Sequence, residues 1–335
     1  MKKYSIKDIA RLSGVSVATV SRVINNNGRF SEETRKKVLS VIEETNYKIN
    51  YSAKSLRMNK SFTIGILVPD IKNYFFSDLV QKIEEILFEQ GYTTIICNTA
   101  RNAEKEQAYL QILQAKGVDG LIIISGVEAF SMNAASSEKK IPYICIDREP
   151  QDKSKTIFIS SNHYQGAEAA TESLIASGAK NLAIALYNRM SSASRSRLSG
   201  FEETLKKHQL GFDAEKNSLR ISSDDTINQE LDNFLKNNPT VDGFFSTNDT
   251  LAMKLNSRLK KIGKNVPQDI KMIGFDDTPY GEYSSPTLSS VRQNTQQLAQ
   301  KTVESLLKLM DSSTTLGETI LIPVELIVRE SSSRI

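Results

Sequence analysis

In the first fifty residues apolar positions recur every three or four places, whereas after Phe62 they run in short unbroken stretches separated by amphipathic ones. The first pattern predicts helices, and the second predicts a chain that alternates strand and helix. Ser5 and Asp8 are spaced as a capping box ahead of Ile6, Ile9, Ala10 and Leu12, an apolar helical face. Ser13-Gly14-Val15 breaks that helix, and Ser16 is placed to cap a second one over Val17 to Asn25, with Val20 and Val23 inward. Ser31 opens a third helix, with Glu32 and Glu33 in its first turn and a buried stripe of Val38, Leu39, Val41 and Ile42 expected. Two helices joined by a short glycine-containing turn make a helix-turn-helix, whose second helix enters the DNA major groove. The outward residues of that helix are Val17, Ala18, Thr19, Ser21 and Arg22. Hydroxyls at its start suit phosphate oxygens, and an arginine suits the acceptors of guanine.

Past Phe62 the strand-like runs are FTIGILV, YTTIICN, GLIIIS and PYICID, and the scheme recurs as NLAIALY, LRIS, GFFST and KMIGFD. Helices are expected over Asp78–Gln90 and Glu104–Lys116. Val118-Asp119-Gly120 ahead of one strand reappears as Val241-Asp242-Gly243 ahead of its counterpart, which suggests two similar lobes, each a doubly wound sheet. Open parallel sheets bind ligands beyond the carboxyl ends of their strands. Polar and aromatic residues collect at those ends: Tyr74 and Phe75 after the first strand, then Asp147-Arg148, Arg197, Asn248 and Asp276-Asp277. Carboxylates, an amide and a guanidinium beside an aromatic face suit a polyhydroxylated ligand. Each of these polar residues could instead cap a helix.

Charge sharpens the division. Residues 1–60 hold 13 Lys/Arg against 5 Asp/Glu, and the remainder holds 30 against 34. A basic head on a mildly acidic body points to a polyanion met by the head alone. Cys97 and Cys145 lie in strand-like stretches without metal or redox spacing, and His163 and His208 stand apart, so no zinc cluster or histidine triad is expected. No secretory h-region or membrane-length apolar run occurs, which predicts a cytoplasmic protein.

The stretch SIKDIARLSGVSVATVSRVIN, followed by SEETRKKVLSVIEETNYKIN and SAKSL, resembles the headpiece of the LacI family of bacterial repressors across residues 5–60. The resemblance implies that Val17, Ala18 and Arg22 read bases and that Ser5, Ser16, Thr19, Ser21, Asn25 and Ser31 anchor phosphates. It also implies a hinge helix that forms on DNA, with Leu56 wedged into the minor groove beside Ala53 and Arg57. The core resembles the same family, which shares its fold with bacterial sugar-binding proteins. The expected organisation is an all-α headpiece at 1–48, a hinge at 49–60 and an α/β effector-binding core at 61–335. Within the core the first lobe is expected at about 61–161 and 292–321, and the second at about 162–291 and 322–335. On this resemblance Tyr74, Phe75, Asp147, Arg197, Asn248 and Asp276 contact the effector.

The chain also departs from its relatives in informative places. Ser161-Asn162 stands where the family often has Asp-Asn, and Ser191 and Ala193 replace an arginine and a threonine of the purine-sensing relative. Ser285 replaces the arginine through which the family's global catabolite regulators bind a phosphorylated carrier protein. No leucine heptad follows LIPVELIVRE, so a homodimer is expected rather than a tetramer. The implied protein is a repressor of a sugar-utilisation operon, with an operator, a sugar or sugar phosphate, and a second copy of itself as partners. A stand-alone sugar-transport protein is disfavoured by the basic headpiece. An enzyme is disfavoured because no phosphate-binding loop, catalytic set, metal cluster or cofactor motif is present.

Overall fold

The computed structural model describes residues 4–24, 28–47, 60–126, 129–132, 141–311 and 317–333. The chain forms two compact units, 1–61 and 62–335. The first holds α1 (Ile6–Ser13), α2 (Val17–Ile24) and α3 (Glu32–Thr45). Both halves of the Ser5–Asp8 capping box are made, and Gly14 closes α1 in the left-handed conformation at φ 67°. Ile9, Ala10, Val20, Val23 and Val38 form the buried centre of this small unit. Two expectations fail here: Leu12 and Leu39 are 46% and 45% exposed. Each helix advances 100° per residue. Leu12 therefore lies off the face shared by Ile9, Ala10 and Ser13, and Leu39 lies about a quarter-turn from Val38.

The second unit is built on two six-stranded sheets. The first is ordered β11-β5-β4-β3-β1-β2 and is parallel throughout. It uses β1 (Thr63–Val68), β2 (Thr93–Asn98), β3 (Gly120–Ile124), β4 (Tyr143–Ile146), β5 (Ile157–Ser161) and β11 (Thr319–Ile322). The second is ordered β12-β10-β9-β8-β6-β7. It uses β6 (Leu182–Tyr187), β7 (Ser218–Ile221), β8 (Gly243–Ser246), β9 (Lys271–Asp276), β10 (Ser289–Gln293) and β12 (Val324–Ile327). Helices α4 (Tyr74–Glu89), α5 (Ala103–Ala115), α6 (His163–Ala176), α7 (Ser192–Lys207), α10 (Asp249–Lys261) and α12 (Thr295–Met310) cover the sheet faces; α8 (Ala214–Asn217), α9 (Ile227–Asn237) and α11 (Pro279–Glu282) lie between strands of the second lobe. The repeated aspartates do one job twice. The Asp119 carboxylate accepts the Phe62 amide at 2.6 Å, and that of Asp242 accepts the Asn181 amide at 2.8 Å, each fastening the start of the lobe's first strand.

The chain passes between the sheets at Asn162, at Asn294 and at Pro323. The lobe limits expected from sequence shift slightly: Arg292 and Gln293 stay in the second sheet, because β10 pairs with β9 and β12 through them, and Ile322 stays in the first, paired with Ser161. Only Pro323 separates β11 from β12, and β12 runs antiparallel to β10 whereas β11 runs parallel to β5. A strand that leaves one parallel sheet at its carboxyl end and directly enters another against its direction shows that the carboxyl ends of the two sheets face each other. Between them lies a cleft.

Candidate functional site

At the end of β4 the Asp147 carboxylate is 3% exposed and its backbone is left-handed, with φ 52°. One carboxylate oxygen accepts from Ser160 Oγ at 2.7 Å and from the Ser161 amide at 3.2 Å, and lies 2.8 Å from His163 Nε2. Across the cleft, Arg197 projects from α7 and stacks on Phe275 at 3.6 Å from the ring centre. Its guanidinium donates to the Thr247 carbonyl, approaches His163 Nδ1 at 3.2 Å and lies 3.7 Å from the Asp276 carboxylate. Asp276, at the end of β9 with φ 109°, accepts from Gln293 Nε2 at 2.8 Å. The residues form one continuous chain, Asp147–His163–Arg197–Asp276–Gln293, drawn from both lobes. Three of its neighbouring atoms lack partners in the structure: Arg197 Nε, Gln293 Oε1 and Ser161 Oγ. Buried groups of this kind favour a ligand that supplies the missing bonds.

Burial dominates the electrostatics. It raises Asp276 to about 8 against the pull of Arg197, helped by the like charges of Asp249 and Asp147. Burial also raises Asp249 to about 6, although Ser290 and the Thr278 amide bond its carboxylate at 2.5 and 2.6 Å. Asp147 is buried too, but the bonds to His163 and Ser160 and the charge of Arg197 bring it below the usual carboxylate range. Near neutral pH, Asp147 and Arg197 thus remain as opposite charges while Asp276 keeps its proton.

A cavity of about 540 Å³ opens beside this chain, lined by Tyr74, Phe75, Asp276, Gln293, Lys82 and Arg292 among others. Tyr74 and Phe75 do not sit in a loop as expected. Asn73 accepts from the Phe76 amide and starts α4 one turn earlier than Asp78, so both rings belong to its first turn. Phe75 is buried, whereas Tyr74 meets Tyr280 of the other lobe edge-on at 5.7 Å between ring centres. Lys82 is held by Asp78 at 2.8 Å, and Arg292 by Asp277 at 2.7 Å. Asn248 Oδ1 accepts from the Leu251 amide at 2.8 Å and caps α10, and this cap does not engage the Nδ2 group.

On the headpiece, Ala18 and Arg22 are exposed, and Val17, Thr19 and Ser21 are half-buried along α2. Ser16 accepts from the Thr19 amide at 3.1 Å, and Ser5 and Ser31 cap α1 and α3. Asn25, Ala53, Leu56 and Arg57 lie outside the described residues.

Residues 5–50 match the bacterial regulatory proteins of the lacI family, and residues 171–332 match the periplasmic binding protein-like domain. The chain is 32% identical over 328 residues to the ribose operon repressor of Halalkalibacterium halodurans, spanning 98% of this chain and 97% of that one. The chain belongs to the LacI family. It is likewise 32% identical over 332 residues to the HTH-type transcriptional repressor PurR of Vibrio vulnificus, covering 99% of each. Its structure superposes on the lac repressor dimer bound to operator and the anti-inducer ONPF with a TM-score of 0.86 at 25% identity, covering 99% of this chain and all of that one. The lacI match spans α1 to α3, and the binding-protein match runs from within α6 through β12.

Two residues of the candidate site, Gln293 and His163, are not legible as such in the sequence. Gln293 gives no signal in the sequence, because it ends β10, a strand that the apolar runs do not announce. His163 was set aside as isolated, yet Asn162 caps α6 immediately before it and turns the ring toward Asp147. A histidine two residues beyond a strand end at a lobe crossing is the available clue.

Proposed function

We propose that this protein is a cytoplasmic, homodimeric repressor of a sugar-utilisation operon, whose operator affinity is set by an unphosphorylated carbohydrate held in the cleft of each subunit. The observation that carries the reading is the buried chain of Asp147, Arg197 and Asp276 beside a 540 Å³ cavity walled by Tyr74 and Phe75. A hydroxyl can complete Gln293 Oε1, which belongs to a residue of the cavity wall, and the apolar face of a sugar ring can pack on the aromatic wall. A phosphate would meet Lys82 and Arg292 already paired to carboxylates, which favours a neutral ligand. The repression of a ribose operon by one relative supports the carbohydrate class. Similarity to PurR gives a purine as the second reading; Ser191 and Ala193 offer it no guanidinium.

In the same reading Val17, Ala18 and Arg22 contact bases, while Ser5, Ser16, Thr19, Ser21, Asn25 and Ser31 hold phosphates. Ala53, Leu56 and Arg57 form the minor-groove hinge, and Leu56→Ala should reduce operator bending in a circular-permutation assay. Ligand and DNA must influence each other reciprocally, with a coupling of about 1–3 kcal/mol in typical allosteric proteins. A thermal-shift screen of pentoses, hexoses, their phosphates and purines, followed by gel shifts on upstream DNA, tests the proposal. Stabilisation by a free sugar together with a change in operator affinity is expected. A response confined to purines would overturn it.

A further inference from the structure

The chain has two histidines. His208 rests on Glu172 at the surface of the second lobe, whereas the His163 side chain is 2% exposed in the middle of the cleft chain. We propose that His163 is a positioning residue of the effector site: a neutral imidazole with its proton on Nε2, which sets the directions of Asp147 and Arg197 and ties the two lobes together there.

The hydrogen-bond donors leave one arrangement. A guanidinium nitrogen only donates, so His163 Nδ1, 3.2 Å from Arg197 Nη2, must be the acceptor. Nε2 then bears the proton and donates to the Asp147 carboxylate at 2.8 Å. A second proton on Nδ1 would break the bond to Arg197 and set two cations against each other. The groups facing the ring agree with this. Asp147 lies on one side, Arg197 on the other, the Phe275 ring is 5.6 Å away and tilted by 49°, and Asp276 and Asp249 act on Arg197 from beyond. Burial, reinforced by the Arg197 charge, holds His163 below its ordinary value in spite of Asp147.

The position matters as much as the proton. Asp147 belongs to the first lobe, whereas His163 opens α6 in the second, directly after the crossing at Asn162. The imidazole therefore bridges the lobes at a hinge, and through Arg197 and Asp276 the same chain reaches Gln293 at the next crossing. Without Nδ1, the Arg197 Nη2 group keeps only the distant Asp276 carboxylate, and the guanidinium, left with the Thr247 carbonyl at Nη1 and the face of Phe275, is less firmly directed. An effector needs that direction, because hydrogen-bond recognition fails with small misplacement.

The choice of sugar as probe rests on the carbohydrate reading; the proton assignment does not. With two imidazoles in the chain, long-range ¹H–¹⁵N spectra of histidine-labelled full-length protein resolve each ring, and His208→Gln assigns them. We expect His163 to show a protonated Nε2 and an unprotonated Nδ1 throughout pH 6 to 8. A charged ring or a proton on Nδ1 overturns the proposal. In calorimetric titrations with D-ribose, His163→Leu should bind about 30-fold more weakly. His163→Asn, whose amide oxygen can replace Nδ1 as acceptor, should recover to within about fivefold of wild type. Equal losses in both variants, in step with equal losses of thermal stability, would reduce His163 to a packing residue and overturn its positioning role. If wild-type protein binds no sugar of the panel, the carbohydrate reading falls, and the spectrum alone decides the proton assignment.

Discussion

The headpiece and the core present their working residues in opposite ways. In the headpiece Ala18 and Arg22 stand exposed on a helix fixed by a few buried neighbours. In the core Asp147, His163 and Arg197 are all at most 7% exposed and bond one another. A surface that reads a polyanion needs little pre-assembly, because long-range attraction and the partner's own regular shape supply the register. A site that distinguishes small neutral molecules must fix its dipoles in advance, since an unmatched buried group is costly. Substitutions should therefore act singly in one region and collectively in the other.

The largest break in that contrast comes from Arg197. Removing one partner from a buried charged network costs about 3–5 kcal/mol, so Arg197→Ala should lower core stability by roughly that amount in urea unfolding. Arg22→Ala should leave stability within about 0.5 kcal/mol of wild type. Next comes Asp276→Ala, which should abolish the response to sugar, an effect on the order of 100-fold in affinity. A calorimetric titration of a well-folded Asp276→Ala protein that showed undiminished sugar affinity would remove Asp276 from the site. On the operator Arg22→Ala should cost about 1–3 kcal/mol, with a smaller loss on random DNA. Equal losses on both would mark Arg22 as a phosphate clamp.

The smallest effect is in the pH dependence of stability. Asp276 keeps its proton in the folded state up to about 8 but would lose it near the ordinary aspartate value when unfolded. Its contribution is therefore complete at acid pH and declines as pH rises toward 8, by at most about 1.4 kcal/mol per unit. Asp249 adds to this only up to about 6. His163, held low, opposes both below its ordinary value near 6.5, because the unfolded state then takes up the extra proton. The clean window is pH 6.5 to 8. Asp276→Asn should flatten thermal stability across it, and an unchanged slope would show that Asp276 is ionised in the folded protein.

What could be read from sequence follows the same division. The headpiece elements are local, so Ser5, Gly14 and Ser31 announced their ends, and only the azimuth of Leu12 and Leu39 was misjudged. In the core the strand ends were legible because each apolar run stops at a polar residue. Their convergence was inferred from fold logic, and Arg197 and Asp276 do meet. Asn248 illustrates the limit: a strand-end amide serves a ligand or a helix cap equally well in sequence, and here its oxygen caps α10. His163 and Gln293 are hard to read for a different reason. Their roles arise from contacts between separate elements, 16 to 34 residues apart in the chain, which no local spacing records.

The crossing at Pro323 restricts how the lobes can shift. One residue with a ring-locked φ joins a strand hydrogen-bonded into the first sheet to a strand hydrogen-bonded into the second. Such a joint has almost no slack, so the lobes cannot slide apart there without tearing β11 or β12 from its ladder. What remains is pivoting, in the manner of a pair of tongs. Displacement is least beside Pro323 and grows with distance from it. A ligand that alters the cleft slightly near the pivot is then amplified at the outer margins of both lobes, by leverage alone and without any element changing its internal structure.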